Sequence, residues 1–194
     1  MSEASPGAAP GARKPNRGPS AGPGNRLALI AAAREIFATD GLGAPFSAIA
    51  KRAGVGQGSL YRHFPDRLSL AVAVFDENID ELEAAVAPED AGLDALLEGV
   101  IRQAVVSTAL IDLITANPDD PRVVELGARV RAIASQAVAH ERAAGRFGEH
   151  ADVDDVLLAI SMVAGVLTRT EPDARAVTAR RAWDLLHTAF VPRP

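Results

Sequence analysis

The stretch "AGVGQGSLYRHFPDR", residues 53–67, sets three glycines, the chain's only tyrosine, a histidine and two arginines between two segments that read as helices. Taken with the residues before it, "PFSAIAKRAGVGQGSLYRHF" (45–64), the pattern resolves. Ile49, Ala50 and Ala53 fall on the inner face of a short helix. Gly54 supplies the residue that can turn left-handed, and Val55 plugs the core behind it. Leu60 and Phe64 then face inward from a second short helix. Two short helices crossing steeply about a tight turn form a helix-turn-helix, and Ala50 has to be small because the second helix crosses over it. What remains outward on the second helix is Gln57, Gly58, Ser59, Tyr61, Arg62 and His63. Gln can bridge N6 and N7 of adenine, Arg can bridge O6 and N7 of guanine, and Ser, Tyr and His suit phosphates. A merely solvated helix face would account for Arg62. It accounts poorly for an exposed tyrosine beside two helix-weakening glycines.

The flanking chain reads as helix almost throughout, with no strand-like alternation and no internal repeat. Leu29, Ile30, Ala33, Ile36 and Phe37 form an apolar stripe at spacings of three and four, which Asp40-Gly41 ends. Leu68, Val72, Phe75, Ile79, Leu82 and Val86 mark a long helix over 66–87, stopped by Pro88. Further helices are expected over 92–106, 108–116, 121–143, 152–169 and 174–190, separated by "NPDDP" (117–121), "AAGRFGEH" (143–150) and "RTEPD" (169–173). Asp152 reads as an N-cap with Asp155 at the third helical position, where the helix dipole favours acids. Residues 1–24 are mostly Gly, Pro, Ala and Ser and carry Arg13, Lys14 and Arg17. Such a segment is expected to be a disordered basic arm.

Composition narrows the function. The 194 residues include no cysteine, so disulfides, thiolate metal sites and cysteine nucleophiles are excluded. No apolar run approaches the roughly 20 residues of a membrane span, and no apolar segment follows the N-terminal charges, so a cytoplasmic protein is expected. The net charge of −5 is unevenly spread. Residues 1–70 hold nine Lys/Arg against four Asp/Glu, whereas the remainder holds 11 against 21. A polyanion is attracted by the first part and repelled by the second. No phosphate-binding glycine loop or nucleophile elbow occurs. No catalytic residue, cofactor or metal site is assigned; His150 with Asp152, Asp154 and Asp155 reads as a helix start rather than a metal site. The alternative from another class is a helical small-molecule-binding or enzymatic bundle in which residues 45–64 are only structural.

"IAKRAGVGQGSLYRHFPDR" (49–67) resembles the helix-turn-helix signature of the TetR family of bacterial transcriptional regulators, a similarity covering about residues 25–75. Spacing, turn glycine and the Tyr-x-His-Phe ending coincide. Pro45 stands where the family commonly has Thr, leaving Ser47 as the nearby hydroxyl; Gly56 replaces a frequent Ser, and Arg67 a frequent Lys. The resemblance implies an all-α fold: a DNA-binding domain over 25–70 and a helical effector-binding and dimerisation domain over 71–194. It implies that Ser47, Gln57, Gly58, Ser59, Tyr61, Arg62 and His63 face DNA and that Arg67 holds a phosphate. It further implies a dimeric repressor on a palindromic double-stranded operator, released by a small-molecule effector. An apolar effector pocket is expected near Ile79, Ile101, Val105, Ile114 and Val163. In the segment 152–169, Val153, Val156, Leu157, Ile160, Val163, Ala164 and Leu167 form one stripe, while Leu158, Met162 and Val166 make the opposite face apolar too. With Trp183, Leu186 and Phe190, the residues Val156, Ile160, Val163 and Leu167 are expected to form a four-helix homodimer interface.

Overall fold

The computed structural model describes residues 22–103, 113, 116–167 and 169–193. Every regular element among them is helical. The helices are α1 (Gly22–Asp40), α2 (Phe46–Ala53), α3 (Gln57–His63), α4 (Arg67–Val86), α5 (Leu93–Arg102), α6 (Pro121–Ala143), α7 (Val153–Leu167) and α8 (Arg175–His187), the last preceded by a 3-10 turn, Pro172–Ala174. The basic arm falls largely outside the described residues. Its last three positions, 22–24, form the first turn of α1 instead, since a proline with fixed φ is at home in a first turn. Most of the segment expected as a helix over 108–116 also lies outside the described residues, as do Val105 and Ile114.

Local chemistry sets the boundaries. The Asp66 side chain accepts the Ser69 N–H at 2.6 Å and starts α4. Asp120 accepts the Arg122 N–H at 3.0 Å and starts α6, with Pro121 in its first turn. Asp152 accepts the N–H groups of Asp154 and Asp155, and Asp155 returns the bond to the Asp152 N–H at 2.9 Å, the reciprocal cap the sequence suggests.

Helices α1 to α3 form a head, and α4 runs from it into a body of α5 to α8, packing on α1 in the head and on α5 and α6 in the body. One apolar cluster extends without interruption from Leu29, Ile49 and Leu60 through Phe75 and Ile79 to Leu126, Val156 and Trp183. Residues 70 and 71, between which the domain boundary is expected, lie within α4, and Leu70 and Ala71 are both part of this cluster.

The body corrects one expectation. Val156, Val163, Leu167, Trp183 and Phe190, assigned from sequence to a dimer seam, are buried within the single chain, and Ile160 and Leu186 pack half-buried beside them. The indole N–H of Trp183 donates to Asp94 of α5 at 3.1 Å, and Phe190 stacks on Phe147 at 5.7 Å. These groups are spent on the chain's own core. The apolar residues that α7 and α8 leave in solvent are Leu158, Met162, Val166, Val177 and Leu185.

A buried carboxylate paired with an exposed arginine ties α6 to the start of α5. Glu141, in the last turn of α6, accepts from Arg146 Nε at 2.7 Å and from the Leu93 N–H that opens α5 at 3.3 Å, filling the space beside Gly92. The Arg146 hydrogen bond holds the Glu141 carboxyl below its ordinary value, outweighing its desolvation. A carboxyl depressed on folding contributes stability that is complete above its unfolded value of 4.5 and is lost as pH falls through the folded value. Thermal melts carried from neutral pH down to roughly pH 3 should show a loss of stability that sets in below that point. Glu141→Gln should lower the neutral-pH melting temperature and flatten the acid limb; an unchanged limb would assign the acid sensitivity to other carboxylates.

Candidate nucleic-acid interface

The turn between α2 and α3 is built as the glycine predicts. Gly54 sits at φ 66°, ψ 24°, and the Val55 N–H returns to the Ala50 carbonyl at 3.0 Å, the bond that closes a helix through a left-handed residue. Val55 packs half-buried on the core, and Leu60 and Phe64 are fully inside. Gly56 caps α3 in extended conformation, and Phe64 ends it through an N–H to the Leu60 carbonyl at 2.8 Å, with Pro65 preventing a further turn. Pro45 precedes α2 without a side-chain cap, and Ser47 stands exposed in its first turn.

With Leu60 and Phe64 fixing which way α3 faces, its other side is solvent. Gln57, Gly58, Tyr61 and Arg62 are exposed; Ser59 and His63 are half-buried at the flanks. Tyr61 is 55% exposed, and its ring packs edge-to-face with Phe46 at 5.3 Å, which steadies the phenol. Arg62 folds back along the helix, Nε donating to the Gly58 carbonyl at 3.2 Å. A Cβ at Gly58 would meet no atom within 4 Å, so intrachain packing does not demand glycine there. Glycine in a helix costs about 1 kcal/mol relative to alanine. Its presence is better explained by something outside the chain that approaches the backbone closely.

Residues 41–65 contain Lys51, Arg52 and Arg62 and no acid at all. Arg52 pairs with Glu35 of α1, and Arg26 lies over the Phe64 ring at 5.5 Å, a cation that the periodicity of α1 did not single out. Arg67 is only half-exposed. Its Nη1 donates to the carbonyls of Leu42, at 2.6 Å, and Ala44. This cation thus fixes the loop between α1 and α2 through Nη1. The expected pocket residues behave differently: Ile79 and Val163 are core, and Ile101 is half-buried where the two apolar clusters of the body meet. His150, Asp152, Asp154 and Asp155 are occupied as Ala189 carbonyl partner, helix caps and ion-pair partner of Arg131.

A short polar helix, stripped of acids and presented beside a second helix across a glycine turn, has the dimensions and donors of an element that enters the DNA major groove. The pattern of the family described as "Bacterial regulatory proteins, tetR family" matches residues 29–74, which span α1 to the first part of α4. No curated protein matches the chain. Among solved structures, a TetR transcriptional regulator from Streptomyces coelicolor is 27% identical over 87% of this chain and 99% of its own, with a TM-score of 0.62. A TetR transcription regulatory protein from Mycobacterium vanbaalenii is 26% identical over 89% and 98%, with a TM-score of 0.60. The ketosteroid transcriptional regulator of Mycobacterium tuberculosis, 20% identical over 87% and 95% with a TM-score of 0.62, shares the fold. Residues 29–74 thus match the helix-turn-helix domain of the tetR family of bacterial regulatory proteins, and the chain as a whole resembles solved TetR-family transcription regulators.

Proposed function

We propose that the protein is a dimeric, cytoplasmic repressor that holds a palindromic operator through α3 and is released from it by a small apolar effector. The observation that carries this reading is the exposed face Gln57, Gly58, Tyr61 and Arg62 on a helix whose other side is locked by Leu60 and Phe64. In this reading Gln57 and Arg62 meet base edges. Ser47, Ser59, Tyr61 and His63 meet the backbone, Gly58 admits the DNA closely, and Arg67 adds a phosphate contact through its remaining nitrogens.

Support for the dimer comes from the body's exposed apolar residues. Leu158, Met162 and Val166 recur every four residues along α7 and, like Leu185 of α8, leave about half or more of their surface in solvent. They replace the buried set as the proposed seam. Support for an effector comes from α4, which joins head to body. Asn78 is buried on it, and among the described residues its amide nitrogen has no hydrogen-bond partner. That suits an apolar molecule carrying one acceptor, seated near Ile79, Ile101 and Val163.

Selection of bound fragments from random duplex DNA tests the reading. A palindrome should emerge with half-sites centred about one helical turn, roughly 34–36 Å, apart. Arg62→Ala should relax base preference at one position in each half-site, at a cost of about 1–3 kcal/mol of discrimination. Recovery of no preferred sequence by the wild-type protein would defeat sequence-specific repression.

A further inference from the structure

The N-caps of α4 and α6 lie against one another through a single guanidinium. Nε and Nη2 of Arg122 donate to the two oxygens of Asp120, the cap of α6, at 3.0 and 2.9 Å. Its Nη1 donates to both oxygens of Asp66, the cap of α4, at 3.2 Å each. Asp66 follows Pro65 and Phe64, the buried residue that ends α3. A shift of Asp66 therefore reaches α3 through one stiff proline and one anchored ring, with no loop to absorb it. Seven residues further along α6, two turns on and so on the same face, Arg129 repeats the arrangement. It donates to Asp76 at 3.2 Å and Glu83 at 2.9 Å and also pairs with Asp80, all on α4. The acidic flank of α4 is thus held by α6 at its start and at its middle.

We propose that Arg122 is a positioning residue for DNA binding: by bridging the caps Asp66 and Asp120 it fixes the angle at which the body presents α3. The inference rests on the reading of α3 as the DNA-facing helix. Asp66 and Arg122 are both partly in solvent, and pairs of that kind add little to stability. What the bridge supplies is orientation. Two recognition helices have to meet successive major grooves together, and a head that rocks about Asp66 has to be immobilised when it binds. The bridge also makes the position of α6 matter to the head, so an effector that moves α6 changes operator affinity even where it leaves α4 straight.

The test uses the full chain and a duplex selected by the wild-type protein, with Arg122→Gln, Arg122→Lys, Asp66→Asn and the double Arg122→Gln/Asp66→Asn compared for affinity and melting temperature. Asparagine caps a helix as well as aspartate does, so Asp66→Asn removes the pair and keeps the cap. Each single substitution should weaken binding about three- to tenfold, with the double no weaker than the singles, as expected of two groups acting through one contact. Melting temperatures should stay within about 2 °C of wild type. Lysine, a point charge that cannot fork onto two carboxylates, should behave like glutamine at 122. Tighter binding by Asp66→Asn alongside weaker binding by Arg122→Gln would show mere attraction and repulsion of phosphates, overturning the proposal. Wild-type affinity in Arg122→Lys, or additive losses in the double, would overturn it as well. A wild-type protein that binds no duplex would instead remove the DNA-facing reading of α3, a result distinguishable from all of these.

Discussion

Met162→Asp should convert the protein to a folded monomer whose affinity for operator DNA is lower by about 10²–10⁴-fold. That is the range by which two linked half-site contacts exceed one. Met162 is 51% exposed on the outer face of α7, between Leu158 and Val166. In the proposed dimer the same stripe on a second copy covers it, and a carboxylate buried there without a partner cannot be accommodated. In the isolated chain the carboxylate stays in water, so helix content and melting behaviour should survive. The neighbouring Val163 provides the contrast. It is 1% exposed, packed against Leu167 and Ala179, and Val163→Asp should unfold the body outright. Sedimentation of both variants, with thermal melts and binding measurements, separates the two outcomes. A Met162→Asp protein that sediments as a dimer and binds as wild type would place the seam elsewhere.

Leu60→Ala should cost about 2–5 kcal/mol, a large part of the stability of a domain this size. Leu60 is fully buried and is the inward anchor of α3, which touches α1 and α2 and has no other wholly buried residue of its own. With roughly 2–4 °C of melting temperature per kcal/mol at this chain length, a fall on the order of 10 °C follows. DNA binding should be lost together with it, because α3 no longer has a fixed face. Tyr61→Ala, one position along, removes a ring that is mostly in solvent. It should leave the melting temperature nearly unchanged while weakening DNA binding. A Leu60→Ala protein that melts like wild type would mean that α3 is held by something other than this side chain.

The sequence was most legible where the chemistry is local. The turn at Gly54, the inward Leu60 and Phe64, the cap Asp152 and the start of α6 at Pro121 depend on residues within a few positions of one another. Each came out as the spacing indicates. Three resides of the expected arm, 22–24, joined α1 because glycine and proline disfavour a helix interior yet suit its first turn. The polar face of α3 was visible for the same reason: on a helix of seven residues, fixing two inward positions fixes all the others.

Elsewhere a local pattern could not choose. Helix α7 is apolar nearly all round, so periodicity offered two stripes and no means of ranking them; the packing of α5, α6 and α8 buried Val156, Val163 and Leu167 and left Leu158, Met162 and Val166 in water. Arg67 read as a phosphate ligand from its position in a motif, yet its guanidinium reaches back to carbonyls more than 20 residues earlier in the chain. The bridge at Arg122 was invisible altogether, since it joins aspartates from two helices that only the fold brings together. Sequence alone determined most of the helices and the outward, polar side of α3, because hydrogen-bond caps, glycine turns and helical periodicity act over a few residues. Which side of α7 is surface, and which arginines are tied into the fold, was decided by tertiary structure alone, because burial and ion pairing depend on what lies across a core and not on what lies next in the chain.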